Sequence, residues 1–218
     1  MSLAPEGLVG VLLAGGPGRR MGGGKPWRTL GGRRLIDWAL AALDQACDEV
    51  VVLAADAAEM ADLPRTVIAD RWPGQGPLAA LITAFLDTDA RGVLLLAVDL
   101  PLARPALLRR LAQAQAQPRP PLALAPIGPQ GWPEYLLAYY SRACLPLAQR
   151  LLAQGETRVR RLLEAVHPVT LAPEEVAALD PEGLSFLNLN YPADLAEAER
   201  RARLCGLIDT IPGGSVSN

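Results

Sequence analysis

Between Leu12 and Lys25 the chain reads Leu-Leu-Ala-Gly-Gly-Pro-Gly-Arg-Arg-Met-Gly-Gly-Gly-Lys. Glycines let a backbone approach a phosphate closely and turn its N–H groups toward it, and Arg20 and Lys25 add compensating positive charge. The chemistry this suggests is the handling of a phosphorylated ligand. Neither standard phosphate fingerprint fits: there is no GxGxxG dinucleotide loop, and a P-loop fails because six residues separate Gly18 from Lys25 and Pro26 stands where Ser or Thr belongs. The chain has a single histidine, His167. That count argues against a histidine-based zinc site or a histidine-relay hydrolase. His167 itself precedes Pro168 at a loop-to-strand transition and reads as structural.

The loop needs a scaffold, and the flanking pattern supplies one. Leu8–Ala14 is continuously apolar, as expected of a strand buried on both faces. Leu35–Cys47 repeats apolar residues at helical spacing. Val50–Ala54 and Thr66–Ala69 read as strands. Pro77 occupies a favoured first helical position for a helix continuing over Leu78–Leu86. Val93–Val98 is the strongest strand signal, and Arg104–Gln117 a helix ended by Pro118, Pro120 and Pro121. Strands alternating with helices imply right-handed crossovers and a mostly parallel sheet covered on both faces. Further on, Leu122–Ala125 and Tyr135–Tyr139 are strand candidates, and Arg142–Ala153, Thr157–Ala165 and Pro192–Leu204 helical ones.

The whole composition is compatible with this. The 218 residues are 50% hydrophobic and 20% charged, with a net charge of −2, which argues against an electrostatically driven nucleic-acid binder. The apolar runs are strand-length, far short of the ~20 residues a membrane span needs. No signal peptide is evident, and three widely spaced cysteines fit a reducing, cytoplasmic setting. The expected organisation is one domain over 1–211, with a nucleotide-binding part at about 8–117 and an acceptor-side part at about 118–205. A disordered tail is expected at 212–218.

Several segments, in chain order, resemble the molybdenum cofactor guanylyltransferase family of nucleotidyltransferases. They are the LAGG…RMG…K loop; Asp70 followed by Pro73-Gly74-Gln75-Gly76-Pro77-Leu78-Ala79; and the strand-end Ala97-Val98-Asp99-Leu100-Pro101. Gly155-Glu156-Thr157-Arg158-Val159-Arg160 and the closing Asn188-Leu189-Asn190-Tyr191-Pro192-Ala193-Asp194-Leu195 complete the set. The likeness runs from Leu12 to Leu195. It departs from the family where Gly24 replaces an Asp before the loop lysine, where Ala80 follows Gly76–Ala79, and where Asp56 is the polar residue after the second strand.

The resemblance implies a Rossmann-like α/β fold of the nucleotide-diphospho-sugar transferase type, with an open, mostly parallel sheet and helices on both faces. It also implies transfer of GMP from GTP to the phosphate of molybdopterin bearing molybdenum, with release of pyrophosphate. A phosphate monoester is already anionic at neutral pH, so no general base is required, and catalysis falls to positioning and charge neutralisation. The implied cofactor is Mg²⁺ on oxygen ligands. Asp99, ending a buried strand at its carboxyl edge beside a proline, is the first candidate ligand. Asn188 and Asn190 are the next, either one being sufficient. Arg20 and Lys25 would sit on the triphosphate. Leu13, Ala14, Gly15, Gly16, Lys25, Asp70, Gly76 and Asp99 would contact the nucleotide. A carboxylate at Asp70 suits guanine, whose N1–H and N2–H₂ are adjacent donors, although an Asx-turn is an equal use for it. Trp132, Tyr135, Tyr139 and Tyr140 are candidates to stack on a pterin, core packing being the commoner use and Trp132 the least core-like. Transient contact with cofactor-handling proteins is expected, and none with nucleic acid or membrane. Two alternatives stay open. One is a cytidylyl- or other nucleotidyltransferase with a different phosphorylated acceptor. The other is a non-catalytic nucleotide-binding regulatory paralogue, for which Gly24 speaks.

Overall fold

A computed structural model describes residues 7–15 and 24–208. In chain order the elements are β1 (Leu8–Leu13), β2 (Thr29–Leu30), β3 (Arg33–Arg34), α1 (Leu35–Leu43), β4 (Glu49–Ala54), β5 (Val67–Ala69), α2 (Gly76–Asp87) and β6 (Gly92–Ala97). There follow α3 (Pro105–Ala112), β7 (Ala123–Pro126), β8 (Leu137–Ser141), α4 (Leu145–Ala153), α5 (Val159–Ala165), β9 (Val169–Leu171), α6 (Pro173–Leu179) and α7 (Pro192–Leu204). Among the described residues a seven-stranded sheet runs in the order β5-β4-β1-β6-β8-β7-β9. The pairs β5/β4, β4/β1, β1/β6 and β7/β9 are parallel, and β8 alone runs against both its neighbours. The expected sheet, mostly parallel with a helix layer on each face, is the one observed.

Each central strand is apolar throughout because both its faces are covered. Alternate residues of β1 and β6 divide between two cores. Leu8, Leu12, Leu94 and Leu96 pack with α1, α3, α6 and α7. Val9, Val11, Val93 and Leu95 pack with α2, α4 and α5. Burying each such side chain contributes about 1.5–3 kcal/mol.

The pattern misplaced some boundaries. Helix α1 stops at Leu43, so Cys47 lies in the following connection rather than on a helix. Residues 113–116 tighten from α3 into a 3-10 turn. Strand β8 begins two residues later than expected, because Glu134 and Tyr135 still belong to the turn, where the Glu134 side chain accepts the Leu136 N–H. The hairpin β2/β3, strand β9 and helix α6 are too short to carry a period. The hairpin turns through Gly31 and Gly32, at φ +60° and +79°, a left-handed pair suited to a two-residue turn. A Cβ on the first of these glycines would collide with the Ile208 side chain, and its N–H donates to Glu199 Oε1 at 3.0 Å. No described helix is long and apolar enough to cross a membrane. The tail assigned to 212–218 lies outside the described residues.

Candidate functional site

The order of strands reverses between β1 and β6: β4 and β5 extend from one flank of β1, and β6 lies on the other. Open α/β sheets bind ligands in the crevice at the carboxyl ends of such a pair. Asp99 stands there. Strand β6 is buried through Ala97, Val98 N–H then bonds to the Leu13 carbonyl at 3.0 Å, and Leu100 N–H folds back onto Ala97 at 3.0 Å. Pro101 prevents the strand from continuing.

Two distant segments meet Asp99. Lys25 opens a 3-10 turn, Lys25–Trp27, entered through Gly24 at φ +59° with Pro26 in its first turn. Its Nζ donates to Asn190 Oδ1 at 3.0 Å and lies 3.4 Å from Asp99 Oδ2. The Lys25 and Asp99 side chains are 13% and 20% exposed. Asn190 arrives by way of the closing motif. Leu189 N–H bonds to the Asp99 carbonyl at 2.9 Å. Asp194 Oδ2 accepts the N–H groups of Asn190 and Tyr191, both at 2.8 Å, and Pro192 starts α7. The Pro and Asp of the motif thus cap the helix, and its second Asn projects to the lysine. Asn188 is exposed, and of the two asparagines it is Asn190 that joins Lys25 and Asp99.

Asp99 Oδ1 is buried with no hydrogen-bond partner among the described residues. An orphaned carboxylate oxygen in such a place is costly unless a cation or donor meets it. Together with Asp99 Oδ2 and Asn190 Oδ1 it offers an all-oxygen donor set, which fits a hard cation such as Mg²⁺. No three His, Cys, Asp or Glu side chains among the described residues gather as a metal site. Water and phosphate oxygens would complete the shell, as is usual for Mg²⁺.

The remaining candidates divide. Arg20 and Gly16 lie outside the described residues. Ala14 N–H bonds to Leu53 O at 2.9 Å, extending β1 one residue past its last paired position. Gly15 runs so close to β4 that a Cβ on it would lie 3.2 Å from Ala55 N. Asp70 sits past the end of β5, and its Oδ1 accepts from Trp72 N–H at 3.1 Å and Thr83 Oγ1 at 3.0 Å. One oxygen of this carboxylate is therefore committed to the turn into α2. Gly76 has φ +79°, and a Cβ there would come within 2.7 Å of the Thr157 carbonyl. That carbonyl accepts Leu78 N–H at 3.1 Å. The close approach at Gly76 is thus to the Gly155–Arg158 junction, which caps α2 from outside. Glu156 at that junction is held down to about 2 by hydrogen bonds from the Arg158 side chain and backbone. Asp56 caps the short turn Ala57–Met60 through Ala58 N–H at 2.8 Å.

Tyr139 and Tyr140 are fully buried, their hydroxyls donating to Gln115 Oε1 and the Tyr135 carbonyl, each at 2.8 Å. That places both in the core and removes them from any stacking surface. Trp132 is 68% exposed, on a tight loop closed by Gly128 N–H to Trp132 O at 2.8 Å.

One neighbour of Asp99 is absent from the sequence reading. Glu134 is partly buried, and desolvation raises its carboxyl above the usual range, with the Asp99 charge adding to the rise. The available signal was a single acidic residue inside the otherwise apolar and aromatic run Trp132–Tyr140.

A sequence model described as the MobA-like NTP transferase domain matches residues 10–170. The chain is 36% identical over 206 residues to a molybdenum cofactor guanylyltransferase from Nitrobacter hamburgensis, spanning 90% of this chain and 95% of that protein. It superposes with a TM-score of 0.77 and 28% identity on molybdopterin-guanine dinucleotide biosynthesis protein A from Archaeoglobus fulgidus, covering 92% of this chain and 100% of that one. It also shares its fold, with a TM-score of 0.68 at 17% identity, with a CMP:2-keto-3-deoxy-manno-octonic acid synthetase complexed with CTP, over 92% and 99% of the two chains.

Proposed function

The chain belongs to the MobA-like NTP transferase family, and from that premise we propose that it transfers GMP from GTP to the phosphate of molybdenum-bearing molybdopterin. An acceptor phosphate oxygen attacks the α-phosphorus, a new P–O bond forms, the α–β bridging bond breaks, and pyrophosphate leaves. The observation that carries this reading is the convergence of Lys25, Asn190 and the partnerless Asp99 oxygen at the strand-order reversal.

Asp99 and Asn190 would hold Mg²⁺, which when bound would neutralise charge on the triphosphate. The chain's own groups do the rest. The backbone of Leu13–Gly15 would lie beside the phosphates, with Lys25, and Arg20 from the loop, countering the charge that builds on pyrophosphate. The second Asp70 oxygen is left for the guanine N–H edge. The acceptor enters from the β7/β8 side, where Trp132 presents an aromatic face. The acceptor supplies its own negative charge, so no side chain has to remove a proton.

The test is pyrophosphate release from GTP, Mg²⁺ and molybdenum-loaded molybdopterin. Turnover is expected with GTP, and Asp99→Ala should lower it about 10²–10³-fold, the usual cost of one preorganised electrostatic element. Turnover with CTP but not GTP would move the chain to a cytidylyl role. Near-wild-type turnover in Asp99→Ala would remove the metal assignment.

A further inference from the structure

We infer that Ser185, fixed in place by Asp180, is a positioning residue of the cation site, setting the segment that presents Asn190 against the one that carries Asp99. The inference deepens the metal site of the proposed function and rests on that reading. Asp99 and Asn190 stand on two connections, 98–104 after β6 and 180–191 before α7, which pass each other in opposite directions. Two bonds tie them together. Leu189 N–H donates to the Asp99 carbonyl at 2.9 Å, and Arg104 N–H donates to Ser185 Oγ at 2.9 Å. The first joins backbone to backbone beside the site. The second lies further from it and depends on a side chain.

Both ends of that second tie are anchored. Ser185 is fully buried and Asp180 nearly so. Asp180, just after α6, accepts Leu184 N–H on Oδ1 at 3.0 Å and Ser185 N–H on Oδ2 at 2.8 Å. A buried carboxylate is costly unless its oxygens are met, and here the segment's own amides meet both. Arg104 caps the start of α3, and its Nε lies 3.7 Å from Asp180 Oδ1. Arg110 on α3 pairs with Glu175 on α6 at 2.6 Å, so the helices that hold the two ends are themselves joined. Leu184 and Leu189 are buried in the core, but apolar burial is non-directional. It fixes how deep the segment lies and leaves its register along the Asp99 connection to directional bonds. A ligating group needs placement to within about 0.5 Å, and the bonds at Ser185 and Leu189 supply that register. The remaining link, Arg104 Nη2 to Glu182 Oε2 at 2.7 Å, is partly exposed to solvent and contributes little. Held in this way, Asn190 reaches Lys25 Nζ at 3.0 Å beside the partnerless Asp99 Oδ1.

The experiment is a double-mutant cycle read by titration calorimetry on wild type, Ser185→Ala, Asn190→Ala and the double variant, with circular dichroism confirming the fold. The probe is α,β-methylene-GTP, on which no chemistry occurs, with Mn²⁺ and again without metal. The quantity compared is the metal enhancement, the affinity with Mn²⁺ divided by the affinity without. Loss of folded protein lowers the number of sites and leaves this ratio alone. Asn190→Ala should lower the enhancement about tenfold or more, and Ser185→Ala at least about threefold. The double variant should stay within about twofold of Asn190→Ala, because a residue that acts through Asn190 has nothing left to act on. An unchanged enhancement in Ser185→Ala, or losses that multiply in the double variant, overturns the inference and leaves the proposed function standing. No metal enhancement in wild type, or none lost in Asn190→Ala, overturns the metal reading and the inference together. If Ser185→Ala does not fold, Asp180→Asn, which keeps one amide acceptor and the side chain's size, takes its place under the same criteria.

Discussion

Lys25 stands at the centre of the site, and its geometry gives it two parts. Without nucleotide its ammonium lies between Asp99 and Asn190, next to the oxygens a divalent cation would use. With nucleotide it is a flexible point charge suited to phosphate oxygens. Lys25→Met should therefore have opposite effects on two ligands. Mn²⁺ measured alone should bind about 3–10-fold more tightly, in keeping with ~1 kcal/mol for removing a partly screened like charge. GTP with Mg²⁺ should bind at least about tenfold more weakly. Equal effects in the same direction would show that Lys25 only supports the fold. Gly24 takes a left-handed conformation, and a Cβ there would meet no atom of the described residues within 4 Å.

At the scale of elements, the junction Gly155–Arg158 and the start of α2 form one mechanical unit. Gly76 combines a positive φ with a 2.7 Å approach of its missing Cβ to Thr157 O. Gly76→Ala should cost roughly 2 kcal/mol or more, since both backbone strain and a backbone clash arise. In a chain of this size that is a fall in Tm of about 4–8 °C, readable by calorimetry. Glu156 steadies the same junction through Arg158, and this support depends on pH. Its carboxyl is lowered from 4.5 to about 2, so the contribution is fully present above pH 4.5 and disappears as pH falls toward 2. Glu156→Gln should accordingly be less stable than wild type at pH 7, and the two melting curves should converge between pH 4.5 and 2. A gap that persists at pH 2 would mean that the side chain acts through packing.

At the scale of the whole molecule, the site draws on positions 25, 99 and 190, which meet only because β1 and β6 pair in the middle of the sheet and α7 returns across their carboxyl ends. Such a site responds to ligand as a unit. GTP with Mg²⁺ at about 100 times its dissociation constant should stabilise the chain by about 2.7 kcal/mol. For this length, that raises Tm by about 5–10 °C. CTP, ATP and UTP at the same concentration should give clearly smaller shifts. An equal rise with all four nucleotides would mean that Asp70 does not read the base.

Periodicity and motif order were enough to establish the alternation of strands and helices, the two-faced cover of the sheet and the family likeness, and to single out Lys25 and Asp99, which the fold brings together. These properties are local: a continuous apolar run, a proline at a helix start and a glycine-rich loop each carry their meaning within a few residues. The short pieces β2, β3 and α6 were invisible because so few residues hold no measurable period and their stability comes from neighbours. Which asparagine meets the lysine was decided by the Asp194 cap and the Leu189 bond to Asp99. The use of Gly76 was decided by Thr157, 81 positions away. Sequence names the groups capable of chemistry. Which of them share one small volume is settled by long-range packing, where contacts between distant positions have no signature in the neighbouring residues.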